Sequence, residues 1–292
     1  MRFIKVLKQL RDIVGPGGVL QRPEDLMLYE YDGGVRKSMP EAVVFPRSTQ
    51  HVSQILRIAS AAGIPVVPRG AGTGLSGGAI PLAGGIVLGF ARMNRILEVD
   101  AANMRAVVQP GVVNLQLSEY VAHLGLFFAP DPSSQKACTI GGNFAENSGG
   151  PHTLAYGVTV NHVTGAEVVL PSGDVVHLGG KAAESAGYDL TGFFVGSEGT
   201  LGIATAITVK LLRRRESVAT LLAVFESPND AAQTVSAITA EGITPAALEM
   251  LDGWTLRTVE AACHAGYPLD AGAVLLIELD GLRELVEEQA EA

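Results

Sequence analysis

The stretch from Pro68 to Gly85, PRGAGTGLSGGAIPLAGG, combines seven glycines with a single charged residue, Arg69. Glycine has no Cβ, so a loop of this composition can bring several backbone N–H groups close to one ligand. Successive N–H groups that converge in this way bind the oxygens of a phosphate group. Arg69, Thr73 and Ser76 would add donors from their side chains. The chemistry that these residue types indicate is the binding of a phosphate or diphosphate.

Two known phosphate-binding motifs are alternatives for this stretch, and its residues argue against both. Gly72, Gly74 and Gly77 fit the dinucleotide-binding pattern G-x-G-x-x-G, but that pattern must open a helix. Gly78 and Pro81 follow at once, and both residue types disfavour a helix. A P-loop is excluded because no lysine follows the glycines. A non-helical nest of N–H groups and a tight turn without a ligand both remain open for this stretch alone.

Two later segments repeat this composition. Residues 138–157 read CTIGGNFAENSGGPHTLAYG and residues 196–203 read GSEGTLGI, and in both the glycines stand beside small polar residues. We predict that both segments are loops, each entered from a strand or returning to one. Three such loops favour one extended ligand that contains a diphosphate with polar groups on either side of it.

Four motifs resemble, in order and spacing, the PCMH-type FAD-binding domain of the vanillyl-alcohol-oxidase-type flavoproteins. They are PRGAGTGLSGGA, PDPSS at residues 130–134, TIGGNFAENSGG and GSEGTLGI. Within that family the resemblance is to the group of glycolate oxidase, D-lactate dehydrogenase and D-2-hydroxyglutarate dehydrogenase flavoproteins. RILEVD, LEMLD and HAGYPLDA are most similar to glycolate oxidase subunits. The resemblance implies FAD as cofactor and an α+β fold. A FAD-binding domain of two α/β subdomains would be followed by the start of an α/β ferredoxin-like substrate (cap) domain.

The resemblance also implies which residues bind the cofactor. Around the pyrophosphate would lie Gly70–Gly74, Gly78 and Ala79. On the other side of the diphosphate and along the ribityl chain would lie Ser133 or Ser134, Gly141, Gly142, Asn147 and Gly150. Along the adenosine and ribityl side would lie Glu198, Gly199 and Ile203. The complete predicted set is Arg69, Gly70, Ala71, Gly72, Thr73, Gly74, Ser76, Gly78, Ala79, Pro130, Ser133, Ser134, Gly141, Gly142, Asn143, Asn147, Gly149, Gly150, Glu198, Gly199 and Ile203. Some relatives attach the flavin to a histidine in the first loop. This loop has Thr73 instead, so we predict non-covalent FAD.

The reaction that the resemblance implies is oxidation of a small 2-hydroxy acid, glycolate or D-lactate, to the 2-oxo acid. The Cα hydrogen would pass as hydride to the flavin while a base removes the hydroxyl proton and a cation holds the carboxylate. Relatives carry the arginine, the base and a histidine-rich metal motif further along the chain. We therefore expect these groups beyond residue 292, and we assign no catalytic residue and no metal ligand.

Partners and alternative functions also follow from the resemblance. For glycolate oxidase it implies a second FAD-binding subunit and an iron–sulfur subunit that pass electrons toward membrane quinones. A catalytically silent FAD-binding module, lacking the C-terminal active-site residues, is an alternative to the enzyme. Non-redox ether-lipid synthesis, which other relatives perform, is a third reading, although the motifs follow the hydroxy-acid group.

The elements that must position the loops alternate between strand and helix from Ala42 onward. AVVF and IPVVP predict strands around a helix that Ser48 or Thr49 caps and Gly63 ends. After the arginines at 213–215 the glycines become fewer and a β-α-β-α-β series follows. We place a domain boundary there: residues 1–215 form the FAD-binding domain with an N-terminal helical segment, and residues 216–292 an incomplete cap domain.

Composition limits the possible functions of the 292-residue chain. The formal net charge of −9 argues against a nucleic-acid-binding protein. Two cysteines, Cys138 and Cys263, are too few for a disulfide framework, so we expect two buried thiols in a reducing compartment. The start, MRFIKVLKQLRDIV, predicts an amphipathic helix rather than a signal peptide, and no apolar run could span a bilayer. We expect a cytoplasmic protein that reaches the inner face of the membrane only through partner subunits.

The remaining polar residues give weaker indications. His152 follows the second glycine pair, where it would either face the flavin or lie on a surface loop. For His162 and His177, on predicted strands, we expect a structural role. Glu167, Asp174 and Glu184 show no pairing typical of acid–base catalysis. We interpret the arginines at 213–215 as a solvated junction, with contact to an acidic partner as the alternative.

Overall fold

A computed structural model describes residues 2–181 and 187–292. Glu184 lies outside the described residues. By its contacts the chain divides into two units. The first comprises the chain up to Ser148 and Val158–Arg213, and the second comprises Gly149–Gly157 and Arg214–Ala292. Residues 149–157, which the sequence analysis assigns to the first domain, thus belong by their contacts to the second unit.

The helices and strands have the following bounds. The α-helices are α1 (Arg2–Val14), α2 (Pro23–Leu26), α3 (Thr49–Ala62), α4 (Asn114–Val121), α5 (Ile140–Glu146), α6 (Thr153–Tyr156), α7 (Leu190–Phe194), α8 (Pro228–Ala240), α9 (Gly253–Cys263) and α10 (Arg283–Glu291). The strands are β1 (Val19–Leu20), β2 (Ala42–Val44), β3 (Val66–Arg69), β4 (Ile86–Gly89), β5 (Ile96–Asp100), β6 (Arg105–Val108), β7 (Leu126–Phe127), β8 (Val163–Val169), β9 (Val175–Gly179), β10 (Ile203–Lys210), β11 (Leu212–Arg213), β12 (Ser217–Phe225), β13 (Ala247–Asp252) and β14 (Ala273–Gly281). Short 3-10 helices occupy Met27–Tyr29, Ala122–Leu124 and Thr159–His162.

The first subdomain of the first unit is a four-stranded sheet in the order β1-β2-β4-β3. β2, β4 and β3 run parallel, and β1 is antiparallel to β2. Buried residues of α1 and α3 share one core cluster with β2 and β4. Helix α3 begins where the Ser48 side chain accepts a hydrogen bond from the N–H of His51 at 3.2 Å, and it ends at Gly63 with φ of 63°. This sheet delivers the glycine-rich loop directly from the end of β3.

The second subdomain is an antiparallel five-stranded sheet in the order β5-β6-β10-β8-β9. Every second residue of the central strand β10 is buried, as period-two alternation requires. Apolar residues of α4 and α5 pack with β6 and β10 in a second core cluster, which includes Leu117, Ile140, Phe144 and Ile207. This core fixes α5, the helix that carries the second glycine motif.

The second unit is built on a three-stranded antiparallel sheet with β14 between β12 and β13. Leu275, Ile277 and Leu279 of β14 form a core with Val286 of α10. Asp252 caps α9 by accepting a hydrogen bond from the N–H of Thr255 at 2.7 Å. The predicted β-α-β-α-β series is confirmed.

The structure corrects two expectations. The segment 138–150, predicted as a loop, contains helix α5. Its glycines are tolerated in a helix because Thr139 caps the first turn and Phe144 is packed in the core. The second correction concerns the cysteines, since Cys138 is buried but Cys263 is exposed at the end of α9. The predicted N-terminal amphipathic helix is confirmed as α1, with Val6, Leu7, Leu10 and Val14 buried.

Candidate functional site

The first glycine-rich stretch forms an irregular loop. In the described structure residues 70–85 contain no helix, which rules out a helix-opening dinucleotide fingerprint here. Gly72 and Gly77 have φ of 72° and 85°, a backbone conformation that residues with a Cβ rarely adopt. Within the described residues, the backbone N–H groups of residues 71–74 find no acceptor. Half-exposed N–H groups without acceptors are what an anion-binding nest requires.

The start of α5 packs directly against this loop. A Cβ on Gly70 would overlap Thr139 Oγ1 and lie 3.6 Å from the Gly142 nitrogen. The N–H of Gly142 donates to Thr139 Oγ1 at 3.3 Å, and that of Gly141 donates to the Pro110 carbonyl at 2.8 Å. The protein itself satisfies these N–H groups. A Cβ on Gly141 would overlap Pro110, so this glycine lets α5 pack against Pro110, whereas Gly70 is the glycine that lets the loop approach α5.

The third motif, the turn at residues 196–202, joins the same site through the end of α5. The N–H of Gly196 donates to the Phe144 carbonyl and that of Glu198 donates to the Ala145 carbonyl, both at 2.9 Å. Gly199, with φ of 74°, lies against the Pro68 ring so closely that a Cβ would overlap it. The three motifs, spread over residues 68–203 of the sequence, therefore converge within the first unit.

Two carboxylates lie beside one part of the loop. A Cβ on Gly78 would lie 2.9 Å from Glu198 Oε2 and 3.0 Å from Glu146 Oε1. Ser76 Oγ donates a hydrogen bond to the other Glu146 oxygen. The loop thus has free N–H groups at residues 71–74 and negative charge around Gly78.

Three residues of the predicted cofactor-binding set, Asn143, Pro130 and Ile203, are buried. Asn143 is 1% exposed, and its Oδ1 accepts a hydrogen bond from Asn114 Nδ2 at 2.9 Å. The same Asn114 nitrogen donates to the buried carbonyl of Pro130 at 2.8 Å. Ile203 is buried in the core of the first subdomain. The side chains of Asn143 and Ile203 thus make contacts within the protein, and the assignment of these three residues to the cofactor stays a prediction.

The other predicted residues are placed differently. Asn147 ends α5 in the left-handed conformation, and its Oδ1 accepts a hydrogen bond from the N–H of Val160 at 2.9 Å. Ser133 is exposed and Ser134 half-buried, in a turn that the Ser134 carbonyl stabilises by accepting from the N–H groups of residues 137 and 138. Gly149 and Gly150 belong to the second unit.

A polar cluster in the second unit involves residues that sequence reasoning missed. Tyr156 of α6 donates a hydrogen bond to Asp280 of β14 and accepts one from Arg215 Nε at 2.6 Å. The Arg215 guanidinium lies 4.8 Å from the centre of the Tyr156 ring and 3.4 Å from Asp280 Oδ2. Burial, and then the hydrogen bond to Asp280, raise the pKa of Tyr156 to about 12. Arg215 is exposed, as a solvated junction requires, and it also contacts Tyr156 and Asp280.

His152 belongs to the same cluster. Its Nε2 lies 2.9 Å from Oε1 of Glu278, which precedes Asp280 by two residues on β14. Two residues apart on a strand, these carboxylates point to the same face of the sheet. The His152–Glu278 and Tyr156–Asp280 pairs are 126 and 124 residues apart in the sequence, so no local pattern could have revealed them.

In the described part of the chain, no group of three or more His, Cys, Asp or Glu side chains is arranged to hold a metal ion. None of the helices described is both long and apolar enough to cross a membrane.

Comparison with known proteins gives matches along most of the chain. One family model, the FAD binding domain, matches residues 40–179, and another, the C-terminal domain of FAD linked oxidases, matches residues 214–292. The glycolate oxidase subunits GlcD of Bacillus subtilis and Escherichia coli K12 are 51% and 47% identical over 98% of this chain. A D-lactate dehydrogenase of Anaerostipes hadrus is 36% identical over 87% of it. The chain spans 61%, 58% and 56% of the length of these relatives, respectively.

Solved structures with the same fold are more distant in sequence. p-Cresol methylhydroxylase with substrate bound superposes with a TM-score of 0.85 at 22% identity, over 99% of this chain and 63% of its own. Alkyldihydroxyacetonephosphate synthase gives 0.84 at 20% identity, over 99% of this chain and 57% of its own. These likenesses establish the fold alone. Together with the family models they confirm the predicted fold class and the resemblance that the motifs indicate.

Proposed function

This chain belongs to the FAD-linked oxidases, and from that premise we propose that it serves in the FAD-dependent oxidation of a small 2-hydroxy acid to the 2-oxo acid. Its 47–51% identity to glycolate oxidase subunits makes glycolate the first substrate to test, and the D-lactate dehydrogenase relative makes D-lactate the second. One observation carries the proposal: the N–H groups of residues 71–74 lack acceptors in the described structure where three glycine motifs meet.

The residues of the loop fit a diphosphate. A nest of N–H groups is complementary to phosphate oxygens. The loop can keep this shape because a Cβ at Gly70 would overlap Thr139 and one at Gly72 would overlap Arg69. We place the diphosphate at residues 70–74 rather than at Gly78 and Ala79. Glu146 and Glu198 lie next to Gly78, and like charges at short distance repel. Carboxylates accept hydrogen bonds from hydroxyl groups, so the Gly78 side of the loop suits the ribose or ribityl part of the cofactor.

FAD supplies the hydride acceptor when it is bound, and the protein supplies binding and orientation. In this chain the loop N–H groups would hold the diphosphate, while Gly70, where a Cβ would overlap Thr139 Oγ1, allows the loop to pack close to α5. Glu198, whose N–H donates to the Ala145 carbonyl of α5, and Gly199, which packs against Pro68, would lie along the sugar side. The loop has Thr73 and contains no cysteine or histidine, which supports a non-covalent flavin.

Assembly and location are part of the same proposal. The most similar relatives named here are subunits of glycolate oxidase, which supports a multi-subunit enzyme. We propose a second FAD-binding subunit and an iron–sulfur subunit as the partners that accept the electrons, in the cytoplasm or at the inner face of the membrane.

The visible absorption spectrum of the purified chain tests the function. We expect flavin bands that bleach on anaerobic addition of glycolate or D-lactate, and acid precipitation should release the flavin into the supernatant. Bands that persist with both acids would identify a catalytically silent FAD-binding module. A colourless chain that does not take up added FAD would overturn the proposal, whereas flavin retained in the precipitate would contradict only the non-covalent attachment.

A further inference from the structure

A short segment near the N-terminus, Tyr29–Gly34 (YEYDGG), lies outside residues 40–179 that match the FAD binding domain. It nevertheless contacts the glycine loop. The N–H of Gly33 donates to the Gly74 carbonyl at 2.8 Å. A Cβ on Gly33 would lie 2.8 Å from the Thr73 carbonyl oxygen and 2.9 Å from that of Gly74. Only glycine allows this backbone contact, which turns the carbonyls of the loop toward the segment.

Arg69 connects the same segment to the loop. The side chain is 5% exposed, and its Nη1 donates to the Tyr31 carbonyl at 2.7 Å. Its guanidinium lies 5.6 Å from the centre of the Tyr29 ring, within cation–π distance. On the other side, the Arg69 guanidinium lies so close to Gly72 that a Cβ on this glycine would overlap it. Arg69 is therefore held between residues 29–31 and the left-handed residue of the loop.

Among the residues that the structure describes, Arg69 has no direct counter-ion. Within the described residues it forms no ion pair with a carboxylate. The acidic group that acts on it is the buried Asp32, but Asp32 Oδ1 accepts a hydrogen bond from the N–H of Gly34 at 2.7 Å. Burial lowers the pKa of Arg69, which reflects the cost of keeping a cation away from water. A buried cation of this kind is stabilised when an anion binds nearby.

We propose that Tyr29–Gly34 and Arg69 form a positioning element for the cofactor diphosphate. The segment turns the carbonyls of residues 73 and 74 away from the ligand, and Arg69 supports Gly72 from behind while adding positive charge at the loop. Arg69 is thus a positioning residue rather than a direct ligand. This inference rests on the proposed function, because it takes the glycine loop to bind the diphosphate of FAD.

Gly33→Ala tests the backbone contact. Its matched control is Gly180→Ala, because neither glycine has a positive φ and a Cβ at Gly180 would meet open space. We expect the Kd of Gly33→Ala for FAD and for ADP to rise about tenfold or more, since loop N–H groups would turn away from the phosphates. Gly180→Ala should bind both like the wild type. Riboflavin, which has no phosphate, should bind the two variants equally.

Arg69→Gln and Arg69→Lys test the charge, and they remain informative if Gly33→Ala does not fold. Salt screens the attraction between a cation and a phosphate. The Kd of Arg69→Gln for FAD should therefore be higher than that of the wild type and should rise less steeply with salt. Arg69→Lys keeps the charge but lacks the planar group, so it should restore the salt dependence and only part of the affinity. A residue that only stabilises the fold would change the melting temperature without changing the salt dependence.

The outcomes separate this inference from the proposed function. If the wild-type chain binds neither FAD nor ADP, the proposed function fails. If the wild type binds FAD but Gly33→Ala and Arg69→Gln bind it with unchanged Kd and salt dependence, the positioning element is overturned and the proposed function stands.

Discussion

The glycine loop of the first unit and the polar cluster of the second unit use polar groups in opposite ways. At residues 71–74 backbone N–H groups have no acceptor within the described structure, and the buried Arg69 has no ion pair there. In the second unit Tyr156 both donates and accepts, and His152 and Arg215 each lie beside a carboxylate. Groups left without partners indicate a ligand, whereas mutually paired groups indicate structural stabilisation. We therefore place cofactor binding at the loop and a structural role at the cluster.

The largest loss of FAD affinity should come from Gly70→Ala. The new Cβ would overlap Thr139 Oγ1 and push the loop away from α5. We expect the Kd for FAD to rise about 100-fold, or roughly 2.7 kcal/mol, measured by fluorescence quenching of FAD. Gly180→Ala is again the control. Unchanged affinity in Gly70→Ala would place the cofactor elsewhere.

Tyr156→Phe should affect stability instead of cofactor affinity. It removes the hydroxyl group that donates to Asp280 and accepts from Arg215. We expect the free energy of unfolding of the second unit to fall by about 1–2 kcal/mol. Unfolding in urea can be followed by the fluorescence of Trp254, the single tryptophan of the chain. Tyr188→Phe, at an exposed tyrosine, is the matched control and should be neutral. A large loss of FAD affinity in Tyr156→Phe, with stability intact, would break the distinction between the two regions.

A smaller effect on stability is expected when the pH is raised, because Tyr156 of the cluster titrates. Tyr156 has its pKa raised from 10.0 to about 12, so the folded state holds the phenol proton more tightly than the unfolded state does. This contribution to stability is complete below pH 10 and is lost as the pH rises from 10 to about 12. Urea titrations across that range should show a decline in stability that is smaller in Tyr156→Phe. An identical decline in both proteins would mean that Tyr156 does not titrate as described.

Ser76→Ala should have the smallest effect. Ser76 is exposed, and its hydroxyl donates only to Glu146 among the described groups. We expect a change of about 0.5 kcal/mol or less in stability and about twofold in the Kd for FAD. A loss comparable to that of Gly70→Ala would mean that this side chain binds the cofactor directly, as the sequence analysis predicts.

Much of the fold could be predicted because its signals are local. Ser48 and Gly63 mark the ends of α3, and the alternation of buried residues identifies β10. Helix α5 escaped prediction because two glycines occupy its first turn, and glycine has low helix propensity. The cap from Thr139 and the burial of Phe144 outweigh that cost, and only tertiary packing provides the latter.

The candidate site could be predicted only in part, for a similar reason. Glycine composition identifies the loop, since the need for close backbone approach is visible in the sequence itself. Composition does not show that Asn143 points into a buried network, that Arg69 lies behind the loop, or that Arg215 meets Tyr156. Each of these depends on a partner that is distant along the chain.

Hydrogen–deuterium exchange of the chain with and without FAD tests the central claim most directly. The amides of residues 71–74 have no acceptor within the described structure, so they should exchange rapidly in the free protein. The account predicts that FAD, and ADP as well, slow exchange in this loop, while riboflavin leaves it unchanged. If FAD binds and protects other segments but leaves these amides unprotected, the glycine loop does not hold the diphosphate and the account is contradicted.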